Sequence, residues 1–146
     1  MSKNEAPPFT IRTVTWQDAG SVLRTIRERV FMQEQGVPPE LEWDGLDEDC
    51  MHALAEVGEE SVGCARLLRD GHIGRMAVLP TWRGHGIGQA LLEHLIRIAR
   101  QQGHVRVWLD AQVHAIGFYE KAGFTVCSDE FMDAGIPHRR MALALT

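Results

Sequence analysis

The stretch Arg75-Met76-Ala77-Val78-Leu79-Pro80-Thr81-Trp82-Arg83-Gly84-His85-Gly86-Ile87-Gly88 has the clearest chemical content in this chain of 146 residues. Three glycines alternate over five residues, between a strand-like run and an amphipathic segment with Ile87, Leu91, Leu95 and Ile98 on one side. Glycines at a strand-to-helix junction let backbone N–H groups approach a ligand. The unpaired amides and the positive end of the helix dipole then favour an anion. A tight turn without a ligand would use the same glycines, but Arg83 adds a cation suited to a phosphate. Charge is distributed accordingly. Residues 75–106 hold five Arg and one acid, Glu93, a local +4 in a chain of net charge -5, which leaves -9 elsewhere.

Two phosphate-binding readings fail. A P-loop needs Lys followed by Ser or Thr after its last glycine, where this chain has Gln89-Ala90. A dinucleotide fingerprint gains support from Asp110, placed about 20 residues on. It fails because Gln89 occupies the sixth fingerprint position and too few strands follow for a doubly wound sheet.

The elements around this turn are legible. Phe9–Val14 reads as a strand, and Thr15-Trp16-Gln17-Asp18 has the spacing of a capping box. Ala19, Val22, Leu23, Ile26 and Val30 follow at helical spacing, giving one buried stripe. Residues 34–49 form an acidic stretch without Lys or Arg. Strands are predicted over 51–57, 61–68 and 72–78, with Asp70-Gly71 as a hairpin signal. A helix from the glycine turn to about Gln102 stops at Gly103, and a strand follows over 105–109. A helix over 113–122, strands over 124–127 and 140–145, and a joining loop around 133–138 complete an α/β domain. The whole chain, 1–146, reads as a single domain with a frayed start at 1–8.

Composition excludes other classes. No apolar run approaches the ~18 residues that a membrane helix needs, and the N-terminus has no apolar signal region. Three widely spaced cysteines, Cys50, Cys64 and Cys127, fit reduced thiols in a cytoplasm. Cys64 and Cys127 read as packed small hydrophobes. Cys50-x-His52 lacks a second ligand pair, so no metal is expected. A net acidic chain is a poor nucleic-acid binder.

The residues of the turn resemble a known family. Arg83-x-x-Gly86-x-Gly88 matches the [Gln/Arg]-x-x-Gly-x-[Gly/Ala] motif of the GNAT superfamily of N-acetyltransferases. Arg75–Pro80 is similar to its splayed central strand, and Gln112-x-x-Ala115-x-x-Phe118-Tyr119-Glu120-Lys121-x-Gly123-Phe124 to its downstream segment. Residues 29–38 and 44–47 resemble a bacterial branch of these enzymes. The resemblance implies the GNAT-type acyl-CoA N-acyltransferase fold: a mixed, mostly antiparallel sheet with a splayed central strand pair, flanked by helices. Acetyl-CoA would lie between the fourth and fifth strands, here 72–78 and 105–109. It implies that the backbone of Met76 and Val78 pairs with the pantetheine arm, that the amides of Arg83, Gly84, His85, Gly86, Ile87 and Gly88 hold the pyrophosphate, and that Ala77 and Gln112 also belong to the cofactor site.

By the same resemblance Tyr119, the chain's only tyrosine, would be the general acid for the departing thiolate. Glu34, His52 and His138 are the candidate bases for the attacking amine. The expected reaction is direct attack of a primary amine, from a small molecule or a peptide, on acetyl-CoA in a ternary complex. A non-catalytic CoA-binding module is the alternative. The acidic stretch reads first as a solvated loop docked by Leu41, Trp43 and Leu46, and secondly as an attractor for a cationic amine. A homodimer is common in such folds, and no stretch of this sequence specifies an interface.

Overall fold

The computed structural model describes residues 8–145, so most of the predicted frayed start lies outside the described residues. Strands β1 (Thr10–Val14), β2 (Met51–Val57), β3 (Glu60–Leu67) and β4 (Ile73–Val78) form one antiparallel sheet in that order. Strands β5 (Arg106–Gln112), β6 (Thr125–Val126), β7 (Phe131–Asp133) and β8 (Ile136–Ala144) form a second, in which β8 pairs with each of the other three. The sheets join where β4 begins: His72 and Trp108 form a single parallel bridge, and the Trp108 amide donates to the Gly71 carbonyl at 3.1 Å. Beyond that point β4 and β5 part.

Two features shape this junction. Gly71 lets the sheets meet, because it has φ +88° and a β-carbon there would lie 2.7 Å from the Arg106 carbonyl oxygen. The second is a bulge: Cys64 pairs with Ala77 and Arg66 with Gly74, so Arg75 and Met76 face the single residue Ala65. Arg75 adopts φ +48°, a left-handed conformation that is costly for a residue with a β-carbon. A bulge bends its strand, and here it turns β4 away from β5.

Helix α1 (Trp16–Arg27) starts as the capping box predicts, with the Asp18 amide donating to Thr15 Oγ1 at 3.1 Å. Its stripe of Ala19, Leu23 and Ile26 packs with Leu54, Cys64 and Ala77 on one side of the first sheet. The stripe continues to Val30 through a π-helical segment, Glu28–Glu34, that periodicity alone does not distinguish from an α-helix. Helix α3 (Ile87–Gln101) covers the other side, where Leu91, Leu92, Leu95 and Ala99 meet Ala53, Ala55, Val107 and Leu109. Strand alternation explains the division, since Leu54 points to α1 and its neighbours Ala53 and Ala55 to α3.

Three expectations need correction. The loop around 133–138 is largely a hairpin, with β7 and β8 joined by Ala134 and Gly135, both at positive φ. The predicted helix over 113–122 is a 3₁₀ turn, Val113–Ala115, followed by a short α4 (Ile116–Lys121). Cys127 is exposed rather than packed, whereas Cys64 is buried as expected.

The acidic stretch is also different from a solvated loop. Glu42, at the end of α2 (Pro39–Glu42), and Asp47 are buried. Arg27, 1% exposed, donates to Glu42 Oε2 at 2.7 Å and to Asp47 Oδ1 at 2.6 Å. Arg66, 2% exposed, bonds Asp44 and Asp47, and Arg75 reaches Glu42 and Asp44, both at 3.2 Å. Three arginines thus balance three carboxylates. Burial pushes Asp44 and Asp47 upward, and hydrogen bonds from Arg66 and Arg27 outweigh it, so both titrate below the ordinary aspartate range.

Replacing Arg27 by Met leaves Glu42 and Asp47 short of a buried partner and lowers the unfolding free energy by about 3–5 kcal/mol in a urea titration. Because the folded values of Asp44 and Asp47 are depressed, their contribution is present above about pH 4 and is lost as pH falls through those values. Urea midpoints measured at successively lower pH therefore fall, and Asp47→Asn flattens that dependence.

Candidate active site

The diverging strands open a cavity of about 720 Å³ whose walls come from the π-helical segment, β4, β5, α4 and the β7–β8 hairpin. The Leu79 amide donates to Val62 in β3 at 2.9 Å. Backbone alternation then turns Ala77 toward β3, and Met76 and Val78 toward the cleft. The free edge of β4 can therefore take an extended, amide-bearing ligand as an added strand.

The glycine turn stands at the open end of this edge. Gly84 and Gly86 both have φ +83°, and Gly86 caps α3 with no side-chain hydrogen bond. None of the N–H groups from Gly84 to Gln89 donates to a protein acceptor among the described residues. No acid lies in the first turn of α3. An anion here would meet a row of free amides and the positive end of a helix of 15 residues. Ile87 contributes only its backbone, because its side chain is buried in the core. Gly84, His85, Gly86 and Ile87 lie outside the cavity lining, while Met76, Ala77, Val78, Arg83, Gly88 and Gln112 are part of it.

Arg83 is already paired within the protein. Its two terminal nitrogens each donate to Glu34 at 2.7 Å, and its Nε donates to the Val78 carbonyl at 3.0 Å. The hydrogen bonds from Arg83 hold Glu34 below the usual carboxylate range, so Glu34 is a poor proton acceptor. Next to it, Gln35 and Gln112 exchange amide hydrogen bonds of 3.4 and 3.0 Å. The end of the π-helical segment is thus tied to both arms of the cleft, by Glu34 to the β4 side and by Gln35 to β5.

The other candidate bases separate sharply. His52 is 2% exposed, its Nε2 lies 2.8 Å from the Asp47 carbonyl, and it is not part of the cavity lining. Burial also pushes its pKa down. This position corrects its candidacy. His138 lines the cavity, and its Nδ1 lies 2.7 Å from the Ile136 carbonyl. A carbonyl only accepts, so Nδ1 donates this hydrogen bond and Nε2 is the nitrogen left for a ligand.

Tyr119 also lines the cavity, with its ring edge-on to Phe118 and Phe124 at 5.0 and 6.1 Å. Burial pushes its phenol up to about 12, so the hydroxyl stays protonated at neutral pH. Two further groups were not expected at this site. His72 stacks on Trp108 at 3.9 Å, and Asp110 is paired with Arg140 at 2.8 Å, which itself lies 4.2 Å over the Trp108 ring. Their signal in the sequence was alternation along 108–112, which puts Trp108, Asp110 and Gln112 on one face.

The Glu34–Arg83 pair is about two-fifths exposed on each side. Glu34→Gln therefore costs less than about 1 kcal/mol in a thermal or urea titration. A cost near that of Arg27→Met would contradict this assignment of the pair to the cleft surface.

Residues 17–145 match a family model described as an acetyltransferase (GNAT) domain. The uncharacterized N-acetyltransferase YjcF of Bacillus subtilis is 40% identical over 120 residues, covering 80% of this chain and 86% of that one. The crystal structure of Escherichia coli ElaA superposes with a TM-score of 0.82 at 29% identity, covering 91% and 98% of the two chains. An acyl-CoA N-acyltransferase from Pseudomonas aeruginosa gives a TM-score of 0.78 at 29% identity, covering 94% and 99%. With its splayed strands and glycine turn, the chain belongs to the GNAT acetyltransferase family and is an acyltransferase.

Proposed function

We propose that the enzyme moves an acetyl group from acetyl-CoA to a primary amine by direct attack within a ternary complex. The observation that carries this reading is the continuity of one cavity. It joins the free edge of β4, which leads to the row of unpaired amides at α3, to the Tyr119 phenol and the His138 imidazole. The name of the Pseudomonas neighbour supports both an acyl-CoA donor and a nitrogen acceptor.

In this reading the backbone of Met76 and Val78 pairs with the pantetheine amides, and the N–H groups from Gly84 to Gln89 hold the pyrophosphate. Arg83 occupies the Val78 carbonyl in the free enzyme. Full use of that edge therefore requires the side chain to shift, and phosphate oxygens are an alternative partner for it. His138 Nε2 takes one proton from the ammonium and the freed nitrogen attacks the thioester carbonyl. The C–S bond then breaks with its electron pair on sulfur, and the second N–H proton passes to that thiolate, giving CoA thiol, as the amide forms. Tyr119 lies roughly 3 pKa units above an ordinary thiol, so full proton transfer to the thiolate is uphill. Its contribution is a hydrogen bond to sulfur as negative charge develops there.

Calorimetric titration of CoA, joined to thiol-release kinetics, tests this reading. Tyr119→Phe lowers kcat by about 10²-fold and His138→Gln lowers kcat/KM by about 10²–10⁴-fold, with CoA affinity preserved in both. Unchanged turnover in either variant removes that residue from the mechanism.

A further inference from the structure

Away from the glycine turn the cavity has both apolar and polar lining. Val30, Phe31, Val37, Leu41 and Ile73 supply apolar surface. Asp110, from β5, and Asp133 and His138, from the β7–β8 hairpin, supply polar groups. Charge on this lining is unequally matched. The two arginines among the described lining residues are committed, Arg83 to Glu34 and Arg75 to Glu42 and Asp44. Of the lining carboxylates, Glu34, Glu42 and Asp110 have arginine partners, while Asp133 has no ionic partner among the described residues.

The β7–β8 register places that carboxylate usefully. Asp133 pairs with Ile136 and Phe131 pairs with His138. Side chains two residues apart share a face, so Asp133 and His138 stand on one face of the hairpin, about 7 Å apart along it. An ammonium drawn to Asp133 therefore arrives beside the imidazole that can accept its proton. An acceptor carboxylate or phosphate would find no uncommitted arginine in the described lining and would lose its hydration without compensation. A polypeptide threaded through the cleft would also have to displace both the Glu34–Arg83 and the Gln35–Gln112 pairs.

We propose that the acceptor is a small cationic amine with an apolar body and no acidic group, of the kind left when an apolar amino acid loses its carboxylate. The inference rests on the acyl-transfer reading and names the substrate class of that same site.

The test uses the full chain with acetyl-CoA and matched pairs: phenethylamine against phenylalanine, tryptamine against tryptophan and isoamylamine against leucine. A lysine-bearing peptide and ethylamine are included, with acetylated products identified by mass. Each amine is expected to exceed its parent amino acid in kcat/KM by roughly 10-fold or more, and ethylamine and the peptide to fall below the amines. Asp133→Asn is expected to lower kcat/KM for the amines by roughly 5–10-fold while CoA affinity, read by calorimetry, stays unchanged. Amino acids used as well as their amines, preference for the peptide, or an inert Asp133→Asn would overturn the inference. So would an enzyme that binds acetyl-CoA and turns over none of these amines. Failure to bind CoA at all would instead bring down the acyl-transfer reading, and this inference with it.

Discussion

Arg75 is the point on which the cleft depends. Its backbone forms the bulge that bends β4 from β5, in a left-handed conformation that an L-residue adopts only when its surroundings impose it. Its guanidinium lies against Glu42 and Asp44 and also donates to the Leu41 and Glu42 carbonyls at 3.3 and 3.2 Å. One residue thus opens the cleft and anchors the segment that walls it. Arg27 and Arg66 extend the anchorage from α1 and β3. Six charges in balance cost desolvation that a hydrophobic cluster would avoid, but they fix the position of a segment with little regular structure.

Closure and access oppose each other at the far end of the same segment. Glu34 and Gln35 tie the π-helical turn to Arg83 on one arm and Gln112 on the other. These bonds are exposed or half-buried, so they can be exchanged at small cost. The anchorage near Arg27 and Arg66 is buried and cannot. The wall is accordingly rigid where it meets the sheet and exchangeable where ligands pass. π-Helical turns recur at functional sites, and here the turn delivers two successive side chains to opposite arms of the cleft.

The sequence was most informative where chemistry is local. Glycine spacing, the helix after it and the strand before it all sit within a few residues, and the turn, α3 and β4 are found as expected. The acidic stretch misled because its partners are remote. Nothing in residues 34–49 indicates that arginines at 27, 66 and 75 will neutralise them inside the protein. The pairing of Arg83 was hidden for the same reason, since Glu34 lies 49 positions away. Strand β7 is three residues long and recognisable only through its pairing with β8. The candidate bases could not be ranked without geometry, because sequence does not show that His52, at a strand start, faces α1, or that His138, in the loop expected over 133–138, faces the cavity.

The central claim is that the free edge of β4 and the amides following it form one continuous acyl-CoA site. Amide hydrogen exchange, read residue by residue by NMR with and without CoA, tests it most directly. The account predicts that saturating CoA slows exchange at Met76, Val78 and the amides from Gly84 to Gln89 by about 10-fold or more, while amides around Arg27 and Asp47 stay unchanged. CoA that binds without slowing exchange at these amides, or that slows it only elsewhere, would contradict the account.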